Sequence, residues 1–152
     1  MKRIKITVTL LLLFSLTTQS GFSQQYFSFK LDFLSALPKT IVLRDSFFNE
    51  IMNFKQGESI SVKLSDDIIF NGVVVNNQHV YENLKSVLIK SASCNNILLQ
   101  ISKITGKDNC VSYSGRMINM KSSYCYLMSK EDNKNYALNK IELKNVIQDC
   151  SF

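Results

Sequence analysis

Glu58-Ser59-Ile60-Ser61-Val62-Lys63-Leu64-Ser65-Asp66-Asp67-Ile68-Ile69-Phe70-Asn71-Gly72-Val73-Val74-Val75 is the stretch on which the fold class turns. Ile60, Val62 and Leu64 alternate with Ser61 and Lys63, so an extended chain here is apolar on one face and polar on the other. Ser65-Asp66-Asp67 supplies turn residues, and Ile68 to Val75 reads as the returning strand. Within it Asn71-Gly72 marks a bulge or a point of close backbone approach.

The same signature continues along the chain. Asn76-Asn77-Gln78 breaks the run, and then Leu84 to Lys90, Ile97 to Ser102, Cys110 to Met120, Tyr124 to Ser129 and Tyr136 to Leu143 read as strands. Thr105 to Asn109 and Glu131 to Asn135 are turns between them. Upstream, Phe27, Phe29, Leu31 and Phe33 alternate with Ser28, Lys30 and Asp32, and Thr40 to Leu43 is a short β-prone run. The period changes once. Asp45 is placed to cap Ser46 to Lys55, Phe47, Phe48, Ile51, Met52 and Phe54 line one side of that segment, and Gly57 stands beyond its end. A helix of about ten residues is marginal alone and must lay its apolar face on the sheet. The expected fold is mainly β: a single antiparallel sheet domain, up-and-down in order, closing toward a barrel or sandwich, with one short helix near 45–55.

Residues 1–23 carry an export signal. Lys2, Arg3 and Lys5 precede the apolar run Ile6 to Leu16, and Gly21 and Ser23 are small residues at the −3 and −1 positions for cleavage before Gln24. The run is about half of the ~20 residues needed to cross a bilayer, and no second stretch approaches that length. The expected product is one domain, 24–152, secreted or periplasmic, with no membrane span after cleavage. Loss of three basic and no acidic residues lowers the net charge from +6 to +3. The remaining lysines are scattered, which leaves no nucleic-acid footprint.

Cys94, Cys110, Cys125 and Cys150 are even in number and all lie in the secreted portion, which favours two disulfides. Gaps of 15, 14 and 24 intervening residues do not form a zinc knuckle. In an up-and-down meander Cys94 and Cys125 fall at one end of the sheet and Cys110 at the other. Cys94–Cys125 with Cys110–Cys150 suits that parity; Cys94–Cys110 with Cys125–Cys150 stays open if the strands are not sequential.

Candidate chemistry is sparse. Asp66 and Asp67 are the only adjacent aspartates, and a hairpin turn accounts for them without a ligand. Glu131-Asp132-Asn133 lacks the residue order of a calcium loop, Gly106-Lys107 lacks the upstream glycine of a phosphate loop, and the serines lack a nucleophile elbow. His79, the one histidine, stands in a polar loop without a second ligand. No metal or cofactor is implied. Tyr113, Tyr124, Tyr126 and Tyr136 lie on three successive strands, and with Arg116 at the rim they form a candidate binding face for a glycan or a secreted or envelope protein. The competing account of the tyrosines is cross-strand packing.

The segments Phe70-Asn71-Gly72-Val73-Val74, Leu84 to Lys90, Ile101 to Ile104, Tyr113 to Ile118 and Tyr124 to Leu127 resemble short exported proteins of the Bacteroidetes, over roughly residues 70–143. The Ser23-Gln24-Gln25 junction is similar to that phylum's export signals. The resemblance implies a small secreted β-rich protein and brings no catalytic residue with it. The expected function is a non-catalytic secreted or periplasmic binding or structural module. The alternatives are a small secreted hydrolase using carboxylates such as Asp66 and Asp67, or an inhibitor or chaperone partner of a secreted protease.

Overall fold

The computed structural model describes residues 32–93, 96–131 and 135–147. Eight strands form one antiparallel sheet curled into a half-barrel, with three short helices. In chain order the elements are α1 (Phe33–Ala36), β1 (Thr40–Val42), α2 (Asp45–Asn53), β2 (Ser59–Lys63), β3 (Ile69–Tyr81), β4 (Leu84–Ser91), β5 (Leu98–Thr105), β6 (Val111–Ile118), β7 (Tyr124–Lys130), β8 (Tyr136–Glu142) and α3 (Leu143–Ile147). The spatial order is β1-β8-β7-β6-β5-β4-β3-β2. Strands β2 to β8 are therefore an unbroken meander, as the alternation and turns predict. Strand β1 pairs with β8 at the far edge through Ile41 opposite Leu138. Because it is one sheet, the sandwich alternative falls.

Helix α2 explains how the trough is filled. It connects β1 at one edge of the sheet to β2 at the other, so it must cross the inner face. Phe47, Phe48, Ile51 and Met52, at helical spacing, are all buried there. They meet Ile60 and Val62 of β2, Val87 and Ile89 of β4, Leu99 and Ile101 of β5, and Met117 of β6 in one core. Fully burying each such side chain contributes about 1.5–3 kcal/mol. This packing, and not intrinsic propensity, holds a nine-residue helix.

Several local expectations are corrected. The helix runs Asp45–Asn53: Arg44 occupies the cap position without a side-chain bond, and Asp45 lies inside the first turn, where its charge suits the helix dipole. Asn76-Asn77-Gln78 does not end a strand, because β3 continues through it to Tyr81 with register shifts at Val74/Asn76 and His79/Tyr81. The amides are tolerated because Asn77 turns its Nδ2 to the Met52 and Phe54 carbonyls at the end of α2, at 3.3 and 2.5 Å. Phe33 is not in a strand. Asp32 caps α1 by accepting from the Leu34 amide at 3.3 Å, so the alternation is interrupted there. Residues 27–31 of the expected first strand lie outside the described residues. Helices α1 and α3 have no counterpart in the sequence pattern, which predicts one helix near 45–55.

Gly72 is confirmed as a point of close approach. A Cβ there would lie 2.6 Å from the Lys90 carbonyl oxygen of β4. Gly115 is similarly confined, 2.8 Å from the Gln100 carbonyl oxygen of β5. At both positions two strands meet more closely than any side chain permits.

Candidate functional site on the outer face of the sheet

The tyrosines lie on the inner side of the half-barrel. Tyr126 is completely buried, its hydroxyl donating to the Pro38 carbonyl at 2.6 Å. Tyr136 is buried too, and its hydroxyl accepts from the Tyr113 amide at 3.1 Å. The Tyr113 ring stacks on Phe48 of α2 with centroids 4.0 Å apart and meets Tyr136 edge-on at 5.7 Å. Burial pushes the Tyr126 phenol up to about 12. Burial, then the neighbouring Tyr136, raises that of Tyr113. Tyr124 is partly exposed, with the Lys140 ammonium 5.6 Å from its ring centroid.

The expected exposed platform of Tyr113, Tyr124, Tyr126, Tyr136 and Arg116 is thus corrected. Two of its rings are core, and Arg116 is on the other face. The reason is strand parity: Met117, opposite Tyr126, points inward, so its neighbour Arg116, opposite Leu127, points outward.

The other candidates are dispersed. Asp66 and Asp67 are exposed in the β2–β3 turn, and Asp66 forms a surface ion pair with Arg44 at 3.6 Å. His79 is exposed on β3 opposite Lys85. Among the described residues no three His, Cys, Asp or Glu side chains cluster as a cation site, and no helix is long and apolar enough to cross a membrane. Cys110 is an exposed free thiol and Cys125 a buried one, with its thiol pKa raised by burial. Cys94 and Cys150 lie outside the described residues, and with them both expected bridges, Cys94–Cys125 and Cys110–Cys150.

A groove of about 510 Å³ opens instead on the outer face, across β4, β5 and β6. Its apolar lining is Leu88, Leu98, Ile118 and Met120, and its polar lining is Asn96, Gln100 and Arg116. Ladder register builds it: Leu88 stands opposite Gln100, Gln100 opposite Arg116, and Leu98 opposite Ile118. Leu98 is 38% exposed and Met120 74%, so apolar surface is left to solvent here. The Arg116 Nε donates to Gln100 Oε1 at 2.9 Å, which holds the guanidinium at the groove. Among the described residues no acidic side chain lines the groove.

Of these residues only Arg116 stood out in the sequence. A signal for the rest exists, however. Val87-Leu88-Ile89 and Ile97-Leu98-Leu99 are apolar three in a row, where a strand with one solvated face should alternate. Leu88 and Leu98 are the out-of-phase members, and both face outward.

A second cleft, about 410 Å³ and polar, lies where α2 ends against β3, lined by Asn53, Gln56, Asn77, Gln78, His79 and Lys85 among others. Lys85 donates to the Met52 carbonyl at 2.7 Å there, as Asn77 does. These contacts cap the helix: they satisfy carbonyls that the last turn leaves open. Compared with protein-family models, with curated proteins and with solved structures, the chain matches none.

Proposed function

We propose that this protein is a non-catalytic binding module, secreted or periplasmic after removal of residues 1–23, and that it takes its ligand on the outer face of the half-barrel. One observation carries the reading: the inner face is filled by α2 and the tyrosines, while the outer face keeps a groove floored by leucine and isoleucine and partly open to water. Its volume falls in the range of about 300–1,000 Å³ usual for small-molecule sites. The same arrangement weighs against a hydrolase built on Asp66 and Asp67. Those carboxylates sit on an exposed turn, with no cleft wall to exclude water or to hold a substrate between them.

The reading is tested with Nile red, a neutral apolar dye whose fluorescence rises on desolvation. One dye per chain is expected, with binding lost in Leu98→Glu and unchanged in Asp66→Asn. Leu98 is partly exposed, so the variant should keep its fold, and far-ultraviolet circular dichroism checks this. Absence of dye binding, or binding indifferent to Leu98→Glu, removes the outer face as the site.

A further inference from the structure

Among the described residues the groove's cation has no counter-ion. Arg116 uses Nε on Gln100, and among the described residues no carboxylate pairs with its terminal nitrogens. The two terminal nitrogens keep four N–H donors, and one from each can meet the two oxygens of a carboxylate. Beside it lies an apolar floor of Leu88, Leu98 and Ile118, with Met120 at the margin. Methionine there adapts to the shape of an apolar guest.

We propose that the ligand is a free long-chain carboxylate, its head group on Arg116 and its alkyl chain along the groove; this rests on the outer-face reading above. A peptide ending in an apolar residue offers the same head group, but the groove does not suit one. It lies over β4, β5 and β6, which are interior strands whose backbone N–H and C=O groups are spent in their ladders. A peptide laid across them would bury its own amides without partners, which is unfavourable. Gln100 Oε1 is already engaged, so Asn96 and the Gln100 amide nitrogen are the polar side-chain groups left to it. An alkyl chain has no such requirement. A second strand likewise cannot be added here, because strand addition needs a free edge.

The experiment is displacement of Nile red, and direct calorimetry, with decanoate, dodecanoate and dodecanol below their micellar concentrations. Wild type should bind dodecanoate one to one, with affinity rising about fourfold per methylene from decanoate onward, as burial of each CH₂ implies. Arg116→Gln should weaken dodecanoate about tenfold and leave dodecanol unchanged, since only the carboxylate engages the fork. Leu98→Glu should weaken both. Equal loss of the acid and the alcohol in Arg116→Gln, or preference for a leucine-terminated peptide over dodecanoate, overturns the carboxylate proposal. If Nile red still binds through Leu98, such a result leaves the outer-face site standing. If Nile red fails as well, both readings fail together.

Discussion

The Tyr126 hydroxyl donates to the Pro38 carbonyl at 2.6 Å from a ring with no exposed surface, joining β7 to the segment between α1 and β1. The Leu34 carbonyl lies 3.5 Å from the same oxygen. Lys140 of β8 completes the tie: its ammonium donates to the Ser35 carbonyl at 2.9 Å and also to that of Leu37. The carbonyls that α1 cannot satisfy within one turn are thus met by two side chains of the sheet. With the Asp32 cap and the buried Leu34, these contacts hold a four-residue helix that is too short to persist alone.

Tyr126→Phe keeps the ring and removes the donor, so it should lower stability by about 1–3 kcal/mol, the range for leaving a buried partner unmatched. Tyr126→Ala adds a cavity and should cost about 3–5 kcal/mol. Urea denaturation of both variants checks the difference. If Tyr126→Ala melts like wild type, the ring is not core.

The raised phenol also makes a pH prediction. Below pH 10, the ordinary phenol value, Tyr126 is neutral both folded and unfolded, so stability is indifferent to it. Between 10 and about 12 the unfolded chain ionises and the folded one does not, so stability falls as pH rises through that window. Tyr113 shifts in the same direction and adds to the fall. Equilibrium denaturation from pH 8 to pH 12 reads it, and Tyr126→Phe should flatten the decline.

Asp32 links two distant parts of the chain. One carboxylate oxygen accepts from the Leu34 amide at 3.3 Å, and the other accepts from the Ser122 hydroxyl at 2.5 Å. That hydroxyl in turn accepts from the Tyr124 amide at 3.0 Å, at the head of β7. Asp32→Ala should cost about 1–2 kcal/mol through loss of the cap. In a double-mutant cycle with Ser122→Ala the two effects should be less than additive, because both changes remove the same bond.

Gly115→Ala should destabilise by about 1–3 kcal/mol, since the added methyl meets the β5 backbone and the strands must part. Gly57→Ala is a useful contrast. It has open space around it but φ of +83°, so its penalty is conformational and not steric. Thermal melts of the two variants, with hydrogen exchange at the β5–β6 ladder, separate the causes: only Gly115→Ala should speed exchange there.

On the proposal that residues 1–23 are removed and that all four cysteines pair on oxidation, the mature protein begins at Gln24 and weighs four hydrogens less before reduction than after. In the reduced, folded protein Cys110 should alkylate readily and Cys125 should not, because one is exposed and the other buried with a raised thiol pKa. Peptide mapping after a timed alkylation checks both statements. Prompt labelling of Cys125 would show that its thiol is not buried in solution.

Local patterns in the chain specify the elements and their order. Ile60, Val62 and Leu64 already show which face of β2 is inner, and Phe47, Phe48, Ile51 and Met52 show which side of α2 is buried, because side-chain period follows from backbone geometry alone. The polar turns between successive apolar runs are short, and so the meander is legible too. Even the close approach at Gly72 is visible as a missing side chain in an otherwise β-prone run. The even cysteine count is likewise a property of the sequence alone.

Tertiary structure decided everything that depends on which strands become neighbours across the trough. That β1 joins β8, and α2 crosses to the opposite edge, cannot be read from any local window. Yet this crossing fills the inner face and turns Tyr126 and Tyr136 from candidate ligand contacts into core. The parity that separates Arg116 from the tyrosines is local, but its meaning is not, since a strand's two faces become inner and outer only once the sheet curls. Leu88, Leu98 and Ile118 become a groove for the same reason: residues from three successive strands are brought side by side by ladder register, on the face turned away from α2.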